Sequence, residues 1–564
     1  MRLKPEGRLR RHISISATAL FAIVLLAAGF AAAAAPSDAA ARAQHGMVVA
    51  ETPEASAAGV EILSNGGNAI DAACAAALAT GVTHAASCGI GGGGFMLIYS
   101  ASTGKFFALD YRECAPLKAT PAMFIRDGKP DEALARDGAL AIAVPGEIAG
   151  IDAALSRFGT MKFQQVAAPA VRLARDGFSL SNHLAREIAA MKGKFDPGLA
   201  SVFLKPDGSV PKAGDLIFEK KLADTMVALG DKPVETFYRG AMAQELSEFI
   251  QSRGGIITVE DFASYKPVWR EPLHLPYQGY EVYVMPPPSS GGVLLEMLGM
   301  LEPGHLGGLG VNSPPYLARL IEVMRQGFVD RALYGDPDFV KVPIVELLSP
   351  RHINEARERA LHPKPGRPVT EARDHGTANL IVADADGNVV VLTTTINTSF
   401  GSKLMDPKLG IILNNEMDDF AVAPGVPNAF HLQGERANEI APGKRPLSSM
   451  APTIVVKGGK PVIAAGGSGG PTIITGVLQV LVDMINFHLG PRVSVDLPRI
   501  HEQAMPETVI VEEKMPPQTE SALRQMGYDV RKVPMLGAVG AMTIAPGNLR
   551  GAGDPRKGGL AIGY

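Results

Sequence analysis

The sequence predicts an α+β fold built as one unit, and three observations carry that reading. First, two apolar runs of strand length, Ala378 to Ala383 and Val389 to Ile396, flank the polar loop Asp384-Ala385-Asp386-Gly387-Asn388, which is the pattern of a β-hairpin. Second, both element types occur upstream, a helical pattern over Asn68 to Leu78 and a strand pattern over Phe95 to Tyr99. Third, no Gly/Ser linker, charge block or internal repeat marks a boundary, although 564 residues ordinarily correspond to about two to four domains. Apolar content of 46% and charge of 20% suit a protein with a large core.

Taken in order, the chain opens on a targeting segment. Arg2, Lys4, Arg8, Arg10 and Arg11 precede an apolar stretch from Ile13 to Ala35 and an alanine-rich end near Ala41. This reads as a signal peptide ending near residue 35, with cleavage between Ala33 and Ala41 and an uncleaved anchor as the alternative; the residues around Arg10-Arg11 match a twin-arginine signal poorly. No later apolar run reaches about 18 residues, so the exported body is expected to be soluble. Net charge is −3 and no basic stripe follows the leader, which argues against a nucleic-acid partner.

Asn68 to Leu78 reads as a helix and Phe95 to Tyr99 as a strand. Between them, Gly89-Ile90-Gly91-Gly92-Gly93-Gly94 satisfies a dinucleotide fingerprint by letter. Such a site needs the strand before the glycines and the helix after them, and here the order is reversed. The glycines are therefore assigned to close backbone packing between layers. A strand-like segment from Lys105 ends at Leu109-Asp110-Tyr111 and is followed by Arg112, by itself the mark of a solvated surface or an ion pair. Pro286-Pro287-Pro288 is read as a rigid turn into a helix over Gly292 to Leu301, rather than as a ligand for a proline-binding module. The three cysteines, Cys74, Cys88 and Cys114, make no disulfide framework, and Cys74 falls in the alanine-rich helix as a small core residue. No His/Cys/Asp cluster has metal-ligand spacing, so neither a metal nor another cofactor is implied.

The polar, proline-rich run from Leu361 to Pro368 is expected to be an exposed loop able to become a free end. The hairpin follows at Gly376-Thr377. A loop centred on Asp386 pairs position 377 with position 395 and sets the two threonine hydroxyls side by side, with Cβ atoms about 5 Å apart. A tight Asp386-Gly387 turn would shift the pairing by one residue and turn Thr395 away. A strand threonine is ordinarily just a good strand former. However, no Gly-x-Ser-x-Gly elbow or His-Glu-x-x-His helix supplies another reacting group. Cutting the Gly376–Thr377 bond would give Thr377 a free α-amine with a reference pKa of about 7.7–8.0, suited to take the proton of its own hydroxyl.

From Thr377 onward the chain resembles the small subunit of the gamma-glutamyltranspeptidases, which are N-terminal-nucleophile hydrolases. The matching pieces are Asn397-Thr398-Ser399-Phe400-Gly401, Leu413 to Phe420, Lys444 to Met450, Gly466 to Gly470 and Asp554-Pro555-Arg556. Upstream, Gly91 to Met96, Asp110-Tyr111-Arg112-Glu113 and Pro286 to Gly292 match as well, so the resemblance runs from about residue 45 to the C-terminus.

The resemblance implies a four-layer αββα sandwich that cleaves itself into a large subunit, 36–376, and a small one, 377–564, which stay together as a heterodimer. It implies that Thr377 is the nucleophile, that Thr395 orients its hydroxyl and that the N–H groups of Gly469 and Gly470 receive the oxyanion. Arg112, Ser448 and Ser449 match the residues that take the α-carboxylate of a γ-glutamyl group, and Asn397, Glu416 and Asp419 those that take its ammonium. The expected activity is glutathione hydrolysis and γ-glutamyl transfer to amino acids or peptides, in the periplasm or outside the cell.

Three departures from common family patterns stand out: Ala378-Asn379 in place of a frequent Thr-His, Glu416 where some bacterial members carry glutamine, and Phe430, in an expected lid from Pro424 to Pro442, where some carry tyrosine. One rival is a glutaryl- or cephalosporin-type acylase on the same scaffold, which should lose part of the ammonium cluster. Another is a processing-dead binder of amino acids or peptides, which would need no nucleophile.

Overall fold

The computed structural model describes residues 40–361 and 376–564, apart from residues 424, 433 and 506. The leader and most of the proline-rich stretch, both read from the sequence above, lie outside these residues. The strands of two large sheets are, in chain order, β1 (Ala41–Ala43), β2 (Met47–Ala50), β3 (Gly93–Ser100), β4 (Lys105–Tyr111), β5 (Val268–Arg270), β6 (Leu273–Tyr277), β7 (Tyr280–Val284), β8 (Ala378–Ala383), β9 (Val389–Thr395), β10 (Thr453–Lys457), β11 (Lys460–Ser468), β12 (Ala538–Thr543), β13 (Leu549–Ala552) and β14 (Leu560–Gly563). One seven-stranded sheet runs β14-β2-β8-β9-β3-β4-β5 and the other β1-β13-β12-β11-β10-β7-β6. Every pairing within them is antiparallel.

The sheets pack face to face, with β8 and β9 against β11. Helices α1 (Pro53–Ser64) and α2 (Ala69–Thr83) cover the first sheet, while α3 (Gly291–Leu301) and α6 (Thr472–Asn486) cover the second. Helices α4 (Pro314–Arg331) and α5 (Pro350–Leu361) pack on α3. The four-layer αββα expectation holds. Both sheets mix strands from either side of position 377, so the two segments share their cores.

Layering explains the sequence pattern of the hairpin. Leu380 and Val382 point into the core beneath α2, whereas Ile381 and Ala383 point into the core between the sheets. Both faces are dry, so β8 reads as a continuous apolar run instead of alternating. Helix α2 is buried along its whole length, which is why its alanine-rich sequence carries no polar face. Asn68 caps it: its side chain accepts from the Ile70 and Asp71 N–H groups, and Asp71 answers the Asn68 N–H.

The hairpin register pairs Ala378 with Thr394 through Ala383 with Val389, so position 377 stands opposite position 395. The five-residue loop rather than a tight turn sets this register. Asp384 fixes the loop by accepting from the Asn388 N–H at 2.8 Å and from its side-chain amide at 2.8 Å. The glycine run packs as expected. A Cβ on Gly92 would lie 2.0 Å from the Thr395 carbonyl oxygen, so only glycine lets β3 approach the end of β9.

Candidate active site

Thr377 immediately precedes β8 and is buried, as is Thr395 at the end of β9. Their hydroxyl oxygens are 3.3 Å apart. In the unbroken chain both hydroxyls donate to the Gly376 carbonyl oxygen, Thr377 at 2.8 Å and Thr395 at 2.9 Å. The Asn397 N–H in turn donates to the Thr395 hydroxyl at 2.8 Å. Asn397 holds this position with φ of +75°, a left-handed conformation that asparagine tolerates better than most residues.

From there a hydrogen-bonded path leads to a charged cluster. The Asn397 side chain donates to the Asn415 carbonyl at 3.0 Å, and Asn415 precedes a one-turn 3₁₀ helix over Glu416–Asp419. Both Glu416 and Asp419 are hydrogen-bonded ion-pair partners of Arg112. The Arg112 Nε donates to the Pro446 carbonyl at 3.3 Å, tying the group to the 444–450 segment. Burial opposes the guanidinium charge, but Glu416, Asp419 and Glu113 outweigh it and hold Arg112 protonated. Glu113 is pushed up to about 7 by burial, against the pull of Arg112. Burial likewise raises Glu416, and one of its oxygens has no hydrogen-bond partner. A buried guanidinium facing buried carboxylates is thus assembled without complete satisfaction of its members.

Ser448 and Ser449 adjoin this cluster, each through a different partner. The Ser448 hydroxyl accepts from the Met450 N–H at 3.1 Å, and its carbonyl accepts from the Ser290 hydroxyl at 2.6 Å. Ser449 accepts from Nη2 of Arg331 at 3.2 Å, while Nε of Arg331 donates to Ser290 at 3.0 Å. Arg331 is the residue that sequence reasoning missed. It is buried, its pKa is lowered to about 10 chiefly by that burial, and it lines a cleft with Asp419, Asn428, Asn438 and Leu447. Its one sequence signal, a charged residue closing a helical pattern, is shared by many surface arginines.

Gly469 and Gly470 follow β11 and precede α6. They adopt φ of +120° and +60°, a region where side chains are strained. A Cβ on Gly470 would also meet the Phe430 ring at 2.6 Å. Phe430 is buried, and its N–H donates to the Asn428 side chain at 3.0 Å. Asn428 reaches Asp419 at 3.5 Å. Asn379 reaches into the space between the sheets: its amide oxygen lies 2.0 Å from where a Gly466 Cβ would stand, and its backbone N–H donates to Glu51 at 3.1 Å.

Comparison with known proteins follows this geometry. The sequence model of the family described as Gamma-glutamyltranspeptidase matches residues 55–564. A glutathione hydrolase proenzyme of Escherichia coli (strain K12) is 40% identical over 540 residues, covering 93% of this chain and 92% of that protein. One from Bacillus subtilis (strain 168) is 38% identical, covering 92% and 91%. Among solved structures, a cephalosporin acylase from Bacillus halodurans superposes with a TM-score of 0.81 at 28% identity, covering 95% of this chain and 99% of that one. A chain of the Helicobacter pylori gamma-glutamyltranspeptidase gives a TM-score of 0.53 at 37% identity, covering 56% and 93%. By sequence along nearly its whole length, this chain belongs to the gamma-glutamyltranspeptidase family.

Proposed function

We propose that the chain is an exported glutathione hydrolase and γ-glutamyltransferase that manufactures its own catalyst by cutting the Gly376–Thr377 bond. The observation that carries this reading is the pair of threonine hydroxyls converging on the Gly376 carbonyl. In processing, the Thr377 oxygen attacks the Gly376 carbonyl carbon, and the Thr395 hydroxyl stabilises the charge growing on the oxygen. The C–N bond breaks as an ester forms, and the hydroxyl proton ends on the departing nitrogen, which becomes the Thr377 amine. Water then hydrolyses the ester, leaving a carboxylate on Gly376 and a free amine on Thr377, which separates residues 36–376 from 377–564.

In turnover the Thr377 amine accepts the hydroxyl proton as the oxygen attacks the γ-amide carbon of the donor. Gly469 and Gly470 offer backbone N–H groups to the oxyanion; losing one such donor typically costs about 10²–10³ in rate. The proton passes to the departing amine. Water or an acceptor amine then attacks the ester and regenerates Thr377. The donor head carries both charges, and within the protein Arg112 pairs with Glu416 and Asp419. A γ-glutamyl group would exchange these pairings. Its carboxylate takes Arg112, with Ser448 and Ser449 beside it, and its ammonium takes Glu416, Asp419 and Asn397. An acyl group without the amine leaves two buried carboxylates uncompensated, which is the physical basis for rejecting glutaryl donors. The acylase reading shares the scaffold but has no use for this acidic pair. Export would be directed by the N-terminal leader.

Two measurements separate the readings. Wild type should run on a denaturing gel as two pieces divided at Thr377, and Thr377→Ala as one. Wild type should release p-nitroaniline from a γ-glutamyl anilide and hardly at all from a glutaryl anilide. Equal rates on the two anilides would transfer the assignment to the acylase, and activity without an N-terminal threonine would refute the mechanism.

A further inference from the structure

Away from this chemistry, α3, α4 and α5 bring together Glu296, Asp330 and His352, with one potential ligand atom from each lying within 4.8 Å of the others. Glu296 is fully buried, and neither of its carboxylate oxygens has a hydrogen-bond partner. Nε2 of His352 lies 3.4 Å from its Oε1. The same Nε2 is 3.2 Å from Oδ2 of Asp330. Asp330 also accepts from the Gln326 side chain at 2.8 Å and lies 3.6 Å from Nη2 of Arg359. A second polar group nearby is also unpartnered. The Tyr334 hydroxyl is buried without a hydrogen bond and sits 2.6 Å from where a Gly292 Cβ would stand, one helical turn before Glu296.

A buried carboxylate facing a second carboxylate requires a cation or a shared proton between them. Arg359 pairs directly with Asp330 and reaches Glu296 only as a charge at longer range. Two oxygen ligands and one imidazole nitrogen form a set that suits zinc. Ligands held at about 2.1 Å in a tetrahedron lie about 3.4 Å apart. Two separations at His352, 3.4 and 3.2 Å, already have that value. The ligand atoms of the two carboxylates lie within 4.8 Å of each other. We propose that Glu296, Asp330 and His352 form a zinc-binding site that clips α5 to α3 and α4. The site is independent of the Thr377 chemistry. It does adjoin Arg331, the next residue after Asp330, so a bound ion would fix the end of the helix that presents this guanidinium to Ser449.

The test uses tag-free, processed protein stripped with a chelator and titrated with Zn²⁺, with Mn²⁺ as a parallel arm. Metal content is read by atomic emission, affinity by calorimetry and stability by thermal denaturation. One equivalent of Zn²⁺ should bind and raise Tm. His352→Gln, at a partly exposed helix position, should keep its circular dichroism spectrum but bind Zn²⁺ at least about tenfold more weakly, with the Tm gain lost. Glu355→Gln, on the exposed face of the same helix, should bind as wild type does. Failure of wild type to take up a stoichiometric ion overturns the proposal, as does undiminished binding by His352→Gln; the two carboxyl groups then share a proton. Preference for Mn²⁺ over Zn²⁺ would overturn the choice of metal.

Discussion

Arg112 is held by two carboxylates before any substrate arrives, and this sets what single substitutions should do. Lysine at position 112 keeps the charge but loses the planar fork that meets Glu416 and Asp419 together. Arg112→Lys should therefore lower kcat/KM for a γ-glutamyl anilide by about a hundredfold, equivalent to about 2.7 kcal/mol. It should leave self-cleavage intact, because the Gly376 carbonyl is addressed by Thr377 and Thr395. Kinetics on the purified variant, read beside its denaturing gel, check both halves. The residues proposed for the chemistry were legible where they are close in sequence. Thr377 and Thr395 share one hairpin, and Glu416 and Asp419 share one turn. Arg331 was not legible, because its contact with Ser449 spans 118 positions and no local pattern encodes it. Phe430 also gained a role only in three dimensions, as the ring packed against Gly470.

At the level of elements, the hairpin and the glycine run work as one device. Strand β3 lies beside β9, pairing Gly93 with Thr395, and a methyl group on Gly92 would collide with the Thr395 carbonyl. Gly92→Ala should displace the end of β9 and with it the Thr395 hydroxyl. The expected outcome is accumulation of the uncut chain on a denaturing gel, by at least about tenfold over wild type, since misplacing a reacting group by about 1 Å costs on the order of a hundredfold. Gly193→Ala, where an added Cβ meets nothing within 4 Å, should process normally. The sequence pointed to this packing role because the helix-before-strand order ruled out the phosphate-binding alternative. The centred loop gave the register, and the structure reproduces it. The end of the expected proline-rich loop differs at one residue: Leu361 closes α5, because Ile353, Ala356 and Ala360 bury that helix against its neighbours. The expected metal-free reading rested on spacing alone, and spacing is blind to Glu296, Asp330 and His352, which come from three separate helices.

For the whole molecule, burial of ionisable groups gives stability a defined pH dependence. His501 accepts or donates within a fixed pair, Thr475 at 2.9 Å and Gln503 at 2.8 Å, and burial lowers its pKa to about 4. Burial lowers His84 further, to about 3. Between about 6.5 and 4 the unfolded chain binds a proton at His501 that the folded chain refuses, so stability is lost as pH falls through that window. Glu147, raised to about 7 by burial, has the opposite sign and costs stability as pH rises. His501→Gln should flatten the decline of Tm from pH 6.5 to 4 relative to wild type, at about 1.4 kcal/mol per pKa unit removed. An identical slope in the two proteins would exclude the assignment. Strands from both sides of position 377 also share the two large sheets, as the proposed heterodimer requires. By itself, the amino-acid order determined the α+β class, the hairpin with its threonine pair and the kinship of the motifs, since each is written in local periodicity or in short contiguous blocks. Only the tertiary structure decided which distant charges meet, because burial and ion pairing depend on separations in space that chain spacing does not encode.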